Sequence, residues 1–245
     1  MERVNANERL ILALDVPTAT DATRLLFTVQ DLVEVVKIGL ELYTAEGPAI
    51  VRWALGQGKR VFLDLKFLDI QETVKRATAI VAEMGVEFLT IHAHRKTLQA
   101  AIDGRGRQSG LKLLAVTVLT NTDTNDLREV GSQWSVEDVV VAKAKLASEL
   151  GCEGVVASGK EPEAIRQAVG QGVWIVTPGV RPLGKSDDDH ARVTTPYQAI
   201  TAGADYLVVG RPIRDAHDPQ ATAHAILEEM QQAFDARETK GSKPP

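Results

Sequence analysis

Eight times along this chain an apolar run of strand length gives way to a stretch of helical character, with no linker-like break between. Arg9 to Asp15, Val35 to Leu40, Val61 to Lys66, Phe88 to Ala93, Leu111 to Leu119, Gly154 to Ser158, Trp174 to Thr177 and Tyr206 to Val209 read as strands. Many are near-continuously apolar, as strands buried on both faces should be. Helices are expected from Thr18 or Thr20 to Val29, Pro48 to Leu55, Ile70 to Met84, Thr97 to Ile102, Ser135 to Leu150, Glu161 to Val169, Pro196 to Ala202 and Pro219 to Phe234. Eight such units in 245 residues point to an α/β chain folded as one closed (β/α)8 TIM barrel rather than an open doubly wound sheet. The barrel is expected to fill residues 1–235 as a single domain, with 236–245 a disordered tail and Met1 to Glu8 frayed.

What is missing narrows the function. No GxGxxG or GxxxxGK[ST] pattern occurs, so the usual dinucleotide and P-loop readings lose support. The net charge is -5, which gives no reason to expect nucleic acid or an anionic membrane as partner. Any anion site must be a local basic pocket. The lone cysteine, Cys152, cannot form an intrachain disulfide and reads as a packing residue. There is no signal-peptide core, and no apolar run approaches the about 20 residues of a membrane span. A cytoplasmic location is the expectation.

The third strand closes on Asp64-Leu65-Lys66-Phe67-Leu68-Asp69. Alternate strand residues share a face, so Asp64 and Lys66 should point the same way, with Asp69 just beyond. Lys37 lies inside an apolar run and needs partners there. Asp15, Lys37, Asp64 and Lys66 all sit at or near the C-terminal ends of strands one to three, where barrel active sites lie. Their charges would alternate, each lysine holding an acid ionised. The same residues could serve as a surface salt-bridge cluster or a buried ion-pair network, an inefficient route to stability at a pocket rim.

A second feature comes from the far side of the barrel. Thr177-Pro178-Gly179-Val180-Arg181-Pro182 follows strand seven, and Gly210-Arg211-Pro212-Ile213 follows strand eight. Loops in these places recur as phosphate sites, using backbone N–H groups and a nearby helix N-terminus. Arg211 can meet a phosphate bidentately, and Gly210 lets a ligand approach the backbone. Arg211 as a solvated surface residue is the alternative. Together the two features imply a phosphorylated small molecule whose reacting end lies over strands one to three.

The chain resembles the orotidine 5'-phosphate decarboxylases from about Leu10 to Ile226. The motifs are LALD at 12–15, VKIG at 36–39, FLDLKFLDI at 62–70, LLAVTVLT at 113–120, TPGVRP at 177–182 and VVGRPI at 208–213. The resemblance implies conversion of orotidine 5'-monophosphate to UMP and CO2, the last step of de novo UMP synthesis, without metal or cofactor. It implies that Lys66 delivers the proton to C6, flanked by Asp64 and by Asp69 from the other subunit of a homodimer. Lys37 and Asp15 would complete the network and hold the ribose. Thr73 would belong to the partner-subunit contacts, Thr120 would lie beside the base, and Arg181, Gly210 and Arg211 would hold the phosphate. Three positions depart from the usual pattern: Leu68 stands for His, Asn121 for Ser, and His190 for Gln. Asn121 can still bond a pyrimidine edge, and His190 can either reach a phosphate or remain a solvated loop residue. Gly179 to Arg192 would form a lid.

Two rival functions follow. A Mg2+-dependent sugar-phosphate lyase or decarboxylase of the same superfamily shares D-x-K-x-x-D, but places an acid where this chain has Lys37. The other is a nucleotide-sensing barrel without activity.

Overall fold

Each apolar run forms a strand because neighbouring strands satisfy its backbone on either side and helices cover its outer face. The computed structural model describes residues 4–182 and 194–241. The strands are β1 (Leu10–Ala13), β2 (Val35–Gly39), β3 (Arg60–Phe67), β4 (Phe88–His92), β5 (Lys112–Val116), β6 (Gly154–Val156), β7 (Trp174–Pro178) and β8 (Tyr206–Val209). All pair in parallel in chain order. Leu10 stands opposite Leu207 and Leu12 opposite Val209, so β8 returns to β1 and the expected barrel is closed. Around it run α1 (Ala19–Val29), α2 (Leu40–Glu46), α3 (Pro48–Gly56), α4 (Gln71–Glu83), α5 (Arg95–Arg105), α6 (Thr124–Glu129), α7 (Val136–Leu150), α8 (Pro162–Val169), α9 (Pro196–Thr201), α10 (Arg211–Arg214) and α11 (Pro219–Gly241).

Strand alternation divides the core in two. Outward, Leu12, Ile38, Leu63, Leu89, Leu113 and Leu207 pack on the helices. Inward, Ile11, Val35, Phe62, Phe88, Leu114, Trp174 and Tyr206 fill the barrel near the strands' N-terminal ends. There the Phe88 ring meets Tyr206 at 5.5 Å and Trp174 at 6.1 Å, edge to face. Lys112 lies 5.1 Å over Trp174 and Arg9 4.7 Å over Tyr206, while Glu87 takes both Lys112 and Arg60. With this end sealed, ligand space lies at the other. Cys152 is buried, and burial, with Glu153 adding to it, pushes its thiol up to about 12, as befits a packing residue.

Several boundaries differ from the sequence expectation. The chain does not fray at Val4 to Glu8: Ala6 is buried, its N–H donates to Gln231 Oε1 at 3.1 Å, and Gln231 Nε2 donates to Val4 O at 3.0 Å. The closing helix does not stop at Phe234. It runs to Gly241, because Arg237 donates to Ala204 O at 2.8 Å and to Asp205 Oδ1 at 3.0 Å. The disordered tail therefore cannot begin at 236; residues 242–245 lie outside the described chain. Gly104 belongs to α5, which runs past the expected end at Ile102. A Cβ there would sit 2.1 Å from Lys75 O, so glycine is what lets α5 lie against α4. No helix among the described residues is long and apolar enough to cross a membrane.

Candidate active site

Past the apolar layer, the inward positions of β1 to β3 become charged. Ala13 leads to Asp15, Val35 to Lys37, and Phe62 to Asp64 and Lys66, and these charged residues line one cavity of about 430 Å³. Lys37 Nζ lies 2.7 Å from Asp15 Oδ1 and 3.6 Å from Asp64 Oδ2. Lys66 Nζ lies 2.8 Å from Asp64 Oδ1. The four charges thus alternate in space, Asp15–Lys37–Asp64–Lys66, as the strand order implied.

Burial and charge oppose each other at the centre of this row. Burial pushes the Asp64 carboxyl up. The Lys37 and Lys66 ammoniums, with hydrogen bonds from Lys66 and Thr90, outweigh that and hold it below the usual carboxylate range. Lys37 is only 8% exposed and relies on its two acids. Gly39 makes room for that pair. A Cβ at Gly39 would come within 3.0 Å of Lys37 Nζ and 3.2 Å of Asp15 Oδ1. Arg214, itself paired with Asp215, donates to Asp15 O at 2.6 Å and fixes the turn that carries the carboxylate.

Across the cavity stand Pro178, Gly179, Val180, Arg181, Gly210 and Arg211. The loops after β7 and β8 therefore face the charged row, and their arginines are the basic groups suited to an anion. Thr120 joins Leu119 and Val118 on a third side, while Asn121 falls outside the lining. Asp69 and Thr73 do not meet the cavity of their own chain. Asp69 is exposed and its Oδ1 accepts from Ile70 N at 2.6 Å, and Thr73 is exposed on α4. His190 and the segment 183–193 lie outside the described residues.

At the C-terminal end of β4, burial and the nearby Lys143 ammonium lower both His92 and His94 below the usual imidazole range, with further charge from His94 and Lys66 acting on His92. Among the described residues no three His, Cys, Asp or Glu side chains gather as a metal site. Asp15 and Asp64, the acids nearest such a role, have the Lys37 ammonium between them.

Residues 8–226 match the orotidine 5'-phosphate decarboxylase / HUMPS family. The chain belongs to it. Orotidine 5'-phosphate decarboxylases of Afipia carboxidovorans and Nitrobacter winogradskyi are each 47% identical to it. The first aligns over 92% of this chain and 96% of the relative, the second over 94% and 95%. Among solved structures, orotidine 5'-phosphate decarboxylase from Lactobacillus acidophilus superposes with a TM-score of 0.79 at 33% identity, covering 91% of this chain and 99% of that one. An uncharacterized conserved protein from Geobacillus kaustophilus gives a TM-score of 0.77 at 36% identity, covering 90% and 99%.

Three residues of this family member's site escaped the sequence reading. Gly39 stood inside the quoted VKIG run, but only the Lys37–Asp15 distance reveals its use. Arg214 reaches Asp15 from the opposite end of the chain. Thr90 was the more legible, being a polar residue at an inward position of an apolar strand, two after Phe88.

Proposed function

We propose that this chain decarboxylates orotidine 5'-monophosphate, giving UMP and CO2 in the last step of de novo pyrimidine nucleotide synthesis. One observation carries the reading. An alternating Asp–Lys–Asp–Lys row faces Arg181, Gly210 and Arg211 across one cavity, in a chain 47% identical to curated enzymes of that activity over nearly its whole length.

Cleavage of the C6–carboxylate bond leaves an electron pair on C6 with little resonance help. Asp64 beside the departing carboxylate disfavours the bound substrate and is relieved as neutral CO2 leaves. The Lys66 ammonium favours the negative charge developing at C6 and then protonates it, and recovers its own proton from solvent. Lys37 and Asp15 hold Asp64 in place and bind the ribose. Thr120 lies beside the base. Arg181, Arg211 and the Gly210 backbone anchor the phosphate, far from the breaking bond, and that binding energy serves orientation and water exclusion.

The active unit is a homodimer in the cytoplasm. Leu68 and Ile70, which flank Asp69, are 56% and 73% exposed, a large apolar surface for a second copy to cover. That copy would receive Asp69 and Thr73 into its own site. The sugar-phosphate lyase alternative is disfavoured by Lys37, which occupies the place where a cation would need an acid.

The test is Lys66→Ala, assayed by loss of orotidylate absorbance with chelator present. Turnover should vanish while UMP binding by calorimetry persists; near-normal turnover refutes the assignment. Mixing inactive Lys66→Ala chains with inactive Asp69→Ala chains should restore activity in the hybrid dimers, and failure to do so refutes the shared site.

A further inference from the structure

The register between β3 and β4 breaks at the functional residues. Leu63 stands opposite Leu89, and the next paired residue, Phe67, stands opposite Ile91. Asp64, Leu65 and Lys66 are therefore all accommodated against Thr90 alone. A regular parallel ladder advances one residue on each strand together, so extra residues must bulge and lose their ladder partners. Within that bulge Lys66 takes φ 50°, the one positive φ of a non-glycine residue among those described. A residue with a Cβ holds that conformation only when its surroundings impose it.

Thr90 supplies those surroundings. Its Oγ1 accepts the orphaned Lys66 N–H at 2.9 Å and donates its own proton to Asp64 Oδ1 at 2.9 Å. The same Asp64 oxygen accepts from Lys66 Nζ at 2.8 Å. The three residues form a closed ring: Lys66 amide to Thr90 hydroxyl, hydroxyl to carboxylate, ammonium back to carboxylate. Thr90 is 1% exposed and is not among the residues lining the cavity. Its hydroxyl uses both its donor and an acceptor site in this ring. The β-branch restricts its χ1, so the direction of both bonds is set by the strand itself.

We propose that Thr90 is a positioning residue for the decarboxylation. It holds the strained Lys66 backbone and the Asp64 carboxylate in one fixed relation, so that proton donor and opposing charge reach the substrate as a unit. The assignment rests on the function proposed above. Thr90 does not line the cavity; it acts through the other two residues. The phosphate anchors lie across the cavity and do not depend on it, so its loss should appear in the chemical step and not in nucleotide binding.

Thr90→Val and Thr90→Ser test this. Valine keeps shape and strand preference but offers neither bond. Serine keeps both bonds. With the Lys66 amide unpartnered the bulge relaxes and the ammonium shifts, and misplacement of this kind costs on the order of 10- to 100-fold in rate. Thr90→Val should therefore lose that much kcat on orotidine 5'-monophosphate, with UMP affinity by calorimetry unchanged, and Thr90→Ser should recover most of it. Amide hydrogen exchange at Lys66 should accelerate in the valine variant and return in the serine variant. A valine variant with unaltered kcat overturns the proposal. So do equal kcat losses in both variants that track a fall in melting temperature. Absence of turnover by the unsubstituted chain would instead defeat the functional reading. Unchanged Lys66 exchange in Thr90→Val would defeat the Thr90 assignment by itself.

Discussion

Asp64→Asn separates what this carboxylate does for the fold from what it does for turnover. Asp64 faces the Lys66 ammonium at 2.8 Å and the Lys37 ammonium at 3.6 Å. At an effective dielectric constant of about 20, those separations correspond to roughly 6 and 5 kcal/mol of gross attraction. The carboxylate has surrendered most of its hydration, its side chain being 13% exposed, and that loss offsets much of the attraction. After substitution Lys37 keeps Asp15 at 2.7 Å, and Lys66, the more exposed of the two, can turn to water. Neither cation is orphaned. The net destabilisation is then about 1–2 kcal/mol, below the roughly 3–5 kcal/mol expected when a buried charge loses its only partner. In a chain of 245 residues this lowers Tm by about 2–8 °C. Turnover suffers more, since the amide neither opposes the substrate carboxylate nor holds Lys66. A loss of about 100- to 1000-fold in kcat is the expected scale for removing one preorganised electrostatic group. Absorbance-monitored turnover and a thermal melt on the same preparation give both numbers. A kcat within about 10-fold of the parent refutes the electrostatic argument, and a variant that fails to fold refutes the stability argument.

Arg211→Ala should weaken UMP by about 10- to 100-fold, the worth of a charge-assisted hydrogen bond, with kcat at saturation little changed; a pure kcat effect contradicts an anchor role. Asp205→Ala tests the outer layer. This buried carboxylate accepts Ile175 N at 2.8 Å and pairs with Arg166 and with Arg237. Its removal leaves two guanidiniums without their shared partner and should cost about 3–5 kcal/mol, or roughly 6–20 °C in Tm; no measurable shift would refute it. Acidification should destabilise the protein in two stages. His92 and His94 have folded pKa values below the unfolded value of about 6.5, so the unfolded chain binds protons first and stability falls as pH drops below that value. Asp64 and Glu87, also depressed, contribute stability that is present above about pH 4 and lost as pH falls through their folded values. Replacing both histidines with glutamine should flatten the first stage and leave the second, as read by Tm against pH; an unchanged first stage refutes the histidine origin.

The barrel was legible because both requirements on its strands, apolar on two faces and evenly spaced, are written in one dimension. The charged row was legible for a related reason. Lys37 stands inside the run VVKIG, where an ammonium without partners would be too costly to keep, and Asp64 and Lys66 share a parity. The boundaries that failed depended on tertiary contacts. Nothing local extends α11 beyond Phe234; Arg237 does so by reaching Ala204 and Asp205. Gly104 looks like a turn residue until α4 is laid beside it. α6 was not among the expected helices, yet its signal was present: Asp123 caps the helix and Asp126 returns the bond to the Asp123 amide, a capping box built from two aspartates. The break in register opposite Thr90 cannot be read from either strand alone, because it is a property of their pairing. Asp69 and Thr73 are the converse case. Asp69 was marked by its place in the D-x-K-x-x-D run and Thr73 by the family resemblance alone, but one chain gives them nothing to act on.

The seam between β1 and β8 has a consequence for biosynthesis. The rungs joining Leu10 to Leu207 and Leu12 to Val209 tie the first strand of the barrel to its last. On a ribosome adding about 5–20 residues per second, the first strand waits on the order of ten seconds or longer for that neighbour. Throughout that interval one of its edges is bare and able to recruit another nascent polypeptide. Chaperone dependence in this protein should therefore concentrate on the interval before β8 emerges from the exit tunnel, and slowing translation anywhere between β1 and β8 should raise aggregation more than slowing it after β8.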